Sequence, residues 1–156
     1  MTAIGRVHPR WMIGRDMDQV LRIERESFDQ AWTENDFFRA LRQRSTLGMV
    51  CEHVGTLRIL GFAVYSLTED ELLVINLAVD PECRRLGVGR AMIDKLKSKL
   101  AEPRRKALSI TVRESNLPAQ LFFKTQGFRW TETLGGFYWN GPEECREDGY
   151  VMSFKL

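Results

Sequence analysis

Asn76-Leu77-Ala78-Val79-Asp80-Pro81-Glu82-Cys83-Arg84-Arg85-Leu86-Gly87-Val88-Gly89-Arg90-Ala91 is the stretch whose reading decides the fold. An apolar, β-branched run ends at Asp80-Pro81, because proline has no N–H to give a strand ladder. A basic loop with two glycines follows. Val88, Met92, Ile93, Leu96 and Leu100 then recur at helical spacing, with Lys95, Lys97 and Lys99 on other faces. The local order is strand, glycine loop, helix. The first N–H groups of a helix have no internal partner, and its dipole adds positive potential there. Gly87 and Gly89 let backbone approach an anion, and Arg84, Arg85 and Arg90 add charge, so a phosphate or pyrophosphate fits. The plain alternative is a tight turn with solvated arginines. No GxxxxGK motif is present, which argues against a P-loop nucleotidase. Gly87-Val88-Gly89 starts a dinucleotide fingerprint, but Met92 stands at its third glycine position.

Outward from this stretch, residues 47–54, 58–67 and 71–79 read as three successive antiparallel strands, punctuated by Gly55 and Glu69-Asp70. Upstream, residues 10–14 read as a short first strand. Asp16 is placed to cap a helix carrying Met17, Val20 and Leu21. Thr33 with Asp36 three residues on is a variant capping box for a second helix with Phe37, Phe38 and Leu41 buried. Downstream, residues 107–112 form a strand. Asn116 and Pro118 open a helix that Gly127 closes. Residues 128–132 and 150–155 are closing strands, with a long irregular loop between them. The order β-α-α-β-β-β-α-β-α-β-β predicts a mixed α/β sheet, not an alternating dinucleotide-binding domain. The expected organisation is one domain over residues 1–156, with residues 1–9 a loosely ordered tail.

Composition narrows the function classes. The 156 residues are 44% hydrophobic and 28% charged, ordinary for a globular protein, with a net charge of +2. That balance argues against gripping nucleic acid by bulk charge. Cys51, Cys83 and Cys145 are dispersed without CxxC spacing, which fits reduced thiols in the cytoplasm. His8 and His53 make no metal motif, so no metal is expected. No apolar stretch is long enough to span a membrane, and residues 1–10 lack a signal-peptide core. Lys95, Lys97, Lys99, Arg104, Arg105 and Lys106 form a basic run without interleaved aromatics.

Arg84-x-x-Gly87-x-Gly89 after Asn76-Leu77-Ala78-Val79 resembles the acetyl-coenzyme A signature of the GNAT N-acetyltransferases. Ile23-Glu24-Arg25-Glu26-Ser27-Phe28 with Ala31-Trp32-Thr33-Glu34 is similar to the opening of RimI-type ribosomal protein alanine N-acetyltransferases. Val112-Arg113-Glu114-Ser115-Asn116, Gln126-Gly127-Phe128 and Glu147-Asp148 before Met152 are similar to their second half. The resemblance implies a GNAT fold, whose sheet splits after the fourth strand to hold the pantetheine arm of acetyl-CoA. It implies a pyrophosphate on Arg84, Arg85, Leu86, Gly87, Val88, Gly89 and Arg90, and pantetheine beside Leu77, Ala78 and Val79. Asn116 matches the asparagine that bonds the cofactor; its plain reading is a helix N-cap. The basic run would then lie near the cofactor's 3′-phosphate.

The sequence departs from that family at two positions. The general-base glutamate is replaced by Thr111, and the general-acid tyrosine by Phe123, which leaves Phe123 a cofactor-contact candidate only. Replacement candidates for catalysis are Glu71, Tyr138 and Glu24; Glu69 and Asp70 adjoin the first. Their plain readings are a solvated strand end, a packed ring and a solvated helix residue. Glu24, Phe28, Trp32 and residues 135–138, Tyr138 among them, are the acceptor-groove candidates. Cys83 beside Arg84 invites a covalent route, against the simpler reading of an inert loop cysteine. The implied activity is direct acetyl transfer to a primary amine, foremost the N-terminal α-amino group of a protein such as a ribosomal protein. The rivals are a lysine, polyamine or other small-molecule acceptor, and an acyl-CoA-binding sensor without turnover. A cytoplasmic monomer or weak dimer is expected.

Overall fold

The structure, a computed structural model, describes residues 6–84, 86–141 and 145–156. The elements are β1 (Val7–Trp11), a 3-10 turn (Gly14–Asp16), α1 (Met17–Ser27), α2 (Glu34–Leu41), β2 (Thr46–His53) and β3 (Ile59–Leu67). They continue with β4 (Glu71–Val79), a 3-10 turn (Pro81–Cys83), α3 (Val88–Lys97), β5 (Ala107–Arg113), α4 (Leu117–Thr125), β6 (Arg129–Trp139) and β7 (Arg146–Lys155). This is the mixed α/β order expected from the sequence. Among the described residues, no helix is long and apolar enough to cross a membrane.

The chain forms two compact units that share β4. The first holds the described residues up to Leu67 together with Ile75–Lys99; the second holds Thr68–Val74 and Leu100–Leu156. In the first, β1 pairs antiparallel with β2, and β2 with β3; β4 lies next to β3. Asp80 N–H donates to the Leu60 carbonyl at 2.8 Å where β4 ends. Val20 and Ile23 of α1, Phe37 of α2, and Val50, Ile59, Phe62 and Val64 of the strands make its core. Each such side chain contributes about 1.5–3 kcal/mol by leaving water. Phe37 meets Phe62 edge-on at 5.5 Å. In the second unit, β4 runs parallel to β5 from Glu71↔Ala107 to Val74↔Ile110. β5 pairs antiparallel with β7, and β7 with β6. Phe123 packs on Phe122 and Phe128 there, at 5.1 and 5.2 Å.

Several details differ from the sequence reading. The first strand runs Val7–Trp11 rather than over residues 10–14, so residues 7–9 of the expected tail are strand. Pro9 is tolerated because β1 lies at the end of the sheet order, where a missing N–H costs no ladder bond. The loop expected after residue 132 is instead the continuation of β6 to Trp139. Extra residues are absorbed as a bulge between Leu134 and Tyr138. Gly136 takes φ +61°, and its N–H donates to Asp148 Oδ1 at 2.9 Å. At α1, Asp16 does not bond the helix N–H groups: its carboxylate accepts from Ile13 N–H and Arg10. The Thr33–Asp36 capping box forms as expected.

Candidate active site

In the first unit the chemistry-bearing feature is the turn from β4 into α3. Gly87 is the N-cap of α3 and takes φ +90°, ψ 2°, a left-handed conformation in which an L side chain is strained. Among the described residues, no side-chain cap bond is made at Gly87, and the first turn of α3 carries no acidic residue. A Cβ built on Gly87 would meet nothing within 4 Å. An uncapped, uncrowded helix start with Arg84 and Arg90 nearby is a cradle that fits a pyrophosphate. Val88 is buried, so its side chain serves the core and only its backbone is available to the loop. Leu86 and Gly89 are half-buried and Arg90 is exposed. Arg85 lies outside the described residues. Lys95 and Lys97 sit in the last turn of α3. At 1.5 Å per residue they are roughly 10 Å from its start. Lys95 and Lys97 therefore stand apart from the glycine loop.

Arg84 does not point freely to solvent. Its Nε donates to the Val79 carbonyl at 3.2 Å and its Nη2 to Ser27 Oγ at 3.0 Å. The loop is thereby tied to β4 and to the last turn of α1. Just before it, Asp80 is 0% exposed. Asp80 accepts from Arg22 at 2.9 Å, from Arg58 at 2.6 Å and from Glu82 N–H at 3.1 Å. Burial alone would raise its pKa, but Arg22, Glu82 N–H and Arg58 hold it below the usual carboxylate range. Cys83 is buried, and desolvation, reinforced by Asp80, raises its pKa. This removes the premise of a covalent route, since Arg84 has turned to Val79 and Ser27.

Glu24 departs from its plain sequence reading. It is no solvated helix residue but a 1% exposed carboxylate. Its Oε1 accepts from Asn76 Nδ2 at 2.8 Å and its Oε2 from Trp32 N–H at 2.9 Å. Burial pushes its pKa up, against the pull of these two donors. Phe28 and Trp32 pack half-buried against the core. Trp32 also lines a depression of about 400 Å³ with Asp36, Arg39, Ala40, Gln43 and Ile75. Leu77 and Val79 are half-buried and Ala78 is buried.

In the second unit, Asn116 caps α4: its Oδ1 accepts from Ala119 N–H at 3.2 Å. Tyr138 donates its hydroxyl to the Thr111 carbonyl at 3.0 Å. The Arg113 guanidinium lies 4.2 Å from the Tyr138 ring centroid. Arg113 also donates to Glu147 at 2.7 Å and to Asn140. Desolvation raises the Tyr138 pKa, so the phenol stays protonated. Burial works against ionisation of Glu147, yet bonds from Ser115, Arg113 and Asn140 bring its pKa to about 2. Phe123 is 3% exposed and serves the aromatic core. Glu71 lies at the start of the β4–β5 ladder, and its Oε2 accepts from Ser109 Oγ at 2.8 Å, which in turn meets Ser153 Oγ. Glu71 Oε2 thereby braces β4 against β5 and β7. Glu69 and Asp70 are exposed in the turn before it.

Sequence reasoning missed Asp80, Asn76, Ser27, Arg113 and Glu147 as site-shaping residues. Asp80-Pro81 was legible only as a strand end, and Arg113 and Glu147 only as motif members. Their partners are 27–58 residues distant in sequence for the bonds Arg113–Asn140, Arg113–Glu147, Asn76–Glu24, Arg84–Ser27 and Asp80–Arg22. Among the described residues, no group of three His, Cys, Asp or Glu side chains stands together to hold a metal.

The sequence profile of the Acetyltransferase (GNAT) family matches residues 17–128, which run through both units. The chain is 26% identical over 141 residues to the ribosomal protein bS18-alanine N-acetyltransferase of Escherichia coli K12, covering 90% of this chain and 92% of that one. The crystal structure of the ribosomal-protein-S18-alanine N-acetyltransferase from Escherichia coli superposes with TM-score 0.78 at 25% identity, over 96% of this chain and 94% of that one. Arabidopsis thaliana NAA60 in complex with acetyl-CoA shares the fold, with TM-score 0.80 at 17% identity over 97% and 99% of the two chains. The family match covers well over half of the sequence, from the first helix to the end of the fourth, and on it the chain belongs to the GNAT family and is an N-acetyltransferase.

Proposed function

We propose that this enzyme transfers the acetyl group of acetyl-CoA to the N-terminal α-amino group of a protein in the cytoplasm, with a ribosomal protein as the foremost acceptor. The observation that carries the reading is the match to the bS18-alanine enzyme across 90% of this chain. Bound acetyl-CoA would supply an activated thioester. The start of α3, from Leu86 to Arg90, would hold its pyrophosphate, and the backbone of Leu77 and Val79 its pantetheine arm. Asn116 keeps its cofactor role by its match to the motif, compatible with its cap on Ala119. We read the whole chain as one catalytic domain.

With Thr111 and Phe123 at the usual base and acid positions, the acceptor's own chemistry matters most. An α-amino group has a pKa near 7.7–8.0, so presenting it neutral at pH 7 costs about 1 kcal/mol, against roughly 4–5 kcal/mol for a lysine near 10.4. An enzyme without a strong base is therefore suited to N-terminal acceptors. Tyr138 keeps its proton and donates it to the Thr111 carbonyl, which leaves its oxygen lone pair to accept an N–H from the incoming amine. Its role is orientation, and positioning supplies the remaining rate.

The test is an acetyl-transfer screen with unblocked N-terminal peptides and N-blocked, lysine-bearing peptides, read as free thiol released. Turnover on the unblocked set alone supports the reading. Turnover on the lysine set replaces the acceptor class. Tight acetyl-CoA binding without turnover on any acceptor favours the sensor.

A further inference from the structure

Helix α1 is bonded at three positions to the segment that carries the glycine loop. Arg22 donates to Asp80 at 2.9 Å, Glu24 accepts from Asn76 at 2.8 Å, and Ser27 accepts from Arg84 at 3.0 Å. Residues 22, 24 and 27 thus hold residues 80, 76 and 84. Glu24 alone of these also faces the other way: its second oxygen accepts Trp32 N–H at 2.9 Å. That bond fixes the backbone at a ring that packs edge-on to Phe37 at 5.0 Å and lines the depression with Asp36, Arg39 and Ile75. One carboxylate therefore spans the cofactor-side strand and the loop proposed to meet the acceptor.

The same geometry makes Glu24 a poor proton acceptor. It is 1% exposed and each oxygen already takes a donor. An amine arriving from solvent would have to reach a carboxylate that is closed off from water and already held on both oxygens. A two-sided anchor, by contrast, uses both bonds as they stand.

We infer that Glu24 is a positioning residue: it sets acceptor affinity by locking Trp32 to Asn76 of β4, without touching the reacting atoms. This rests on the acetyl-transfer reading above.

Glutamine at position 24 separates this role from a general base. Its carbonyl can accept Trp32 N–H while its amide N–H donates to Asn76, whose own amide turns over to present oxygen. Both bonds survive, but basicity does not. Alanine removes both. The experiment compares wild type, Glu24→Gln, Glu24→Ala and Asn76→Ala. It measures thiol release with acetyl-CoA and a peptide with a free N-terminal alanine, alongside amide hydrogen exchange at Trp32. The expected result is that Glu24→Gln stays within about threefold of wild-type kcat/KM with an unshifted pH profile. Glu24→Ala should raise peptide KM about tenfold or more with acetyl-CoA KM little changed, and should speed exchange at Trp32. Asn76→Ala, which keeps the Trp32 bond, should fall between, and it carries the KM comparison if Glu24→Ala does not fold. The proposal is overturned if Glu24→Gln abolishes turnover while Trp32 exchange and melting stay as in wild type, because that is a general base. It is also overturned if Trp32 exchange rises but peptide KM does not move. Wild type that turns over no peptide overturns the acetyl-transfer reading itself, while Trp32 exchange still reports the anchor separately.

Discussion

Replacing Asp80 by asparagine tests how the glycine loop is held. The wild-type carboxylate is fully buried and accepts from two guanidiniums and one backbone N–H. In Asp80→Asn the amide oxygen can keep Glu82 N–H, but the NH2 group then faces Arg22 and Arg58, both donors. Hydrogen bonds to charged groups contribute about 1.5–3 kcal/mol each. Arg22 and Arg58 are 37% and 42% exposed, so water recovers part of that loss. A net destabilisation of about 2–3 kcal/mol follows, and at 2–4 °C per kcal/mol for a chain of this size the melting temperature should fall roughly 5–10 °C. The sign with pH is set by the depressed pKa. Asp80 stabilises the fold above the ordinary aspartate value, and that contribution is lost as pH falls through its lower folded value. Thermal melts of both proteins from pH 7 down to about 3 are the assay, with acetyl-CoA KM as the functional companion. The gap should close on acidification, and KM should rise with little change in kcat. A gap under about 1 °C at pH 7, or one that widens with acid, refutes the reasoning.

Three further outcomes follow from the packing. Glu147, with a pKa of about 2, should lend stability above pH 4.5 that is lost as pH falls through about 2, so urea titrations should show Glu147→Gln converging on wild type there. A Cβ on Gly149 would stand 2.8 Å from Thr111 Cγ2 and 3.2 Å from Phe137 Cδ1. Gly149→Ala should therefore cost about 1–3 kcal/mol in denaturant unfolding, and adding Thr111→Ser, which removes that methyl, should return part of it. The Tyr65 hydroxyl is the buried side-chain polar atom left without a hydrogen-bond partner among the described residues. Tyr65→Phe should leave stability unchanged or raise it by about 1 kcal/mol, and a loss larger than that in the same titration would reveal a partner.

The run from Asn76 to Ala91 was legible as strand, glycine loop and helix because each signal is local: proline stops a ladder, glycine admits a left-handed turn, and apolar spacing selects a helix. β4 lies at Glu71–Val79 as read, and α3 starts at Val88. The capping pair Thr33–Asp36 was readable for the same reason, since both partners sit within one turn. β6 was read too short because Gly135-Gly136 signals a loop locally, whereas pairing with β7 and the Asp148 bond to Gly136 N–H carry the strand through.

The sequence by itself determined the element order, the glycine turn and the two departures at Thr111 and Phe123, because these depend on residue type and near spacing. The tertiary structure decided which charged groups are buried and what each one holds. Glu24 and Glu71 look alike in a one-dimensional pattern. Burial, however, made Glu24 an anchor between Trp32 and Asn76, and register put Glu71 on Ser109 at the paired end of β4. Solvation and partner geometry arise only when distant segments meet, and a chain read residue by residue carries neither.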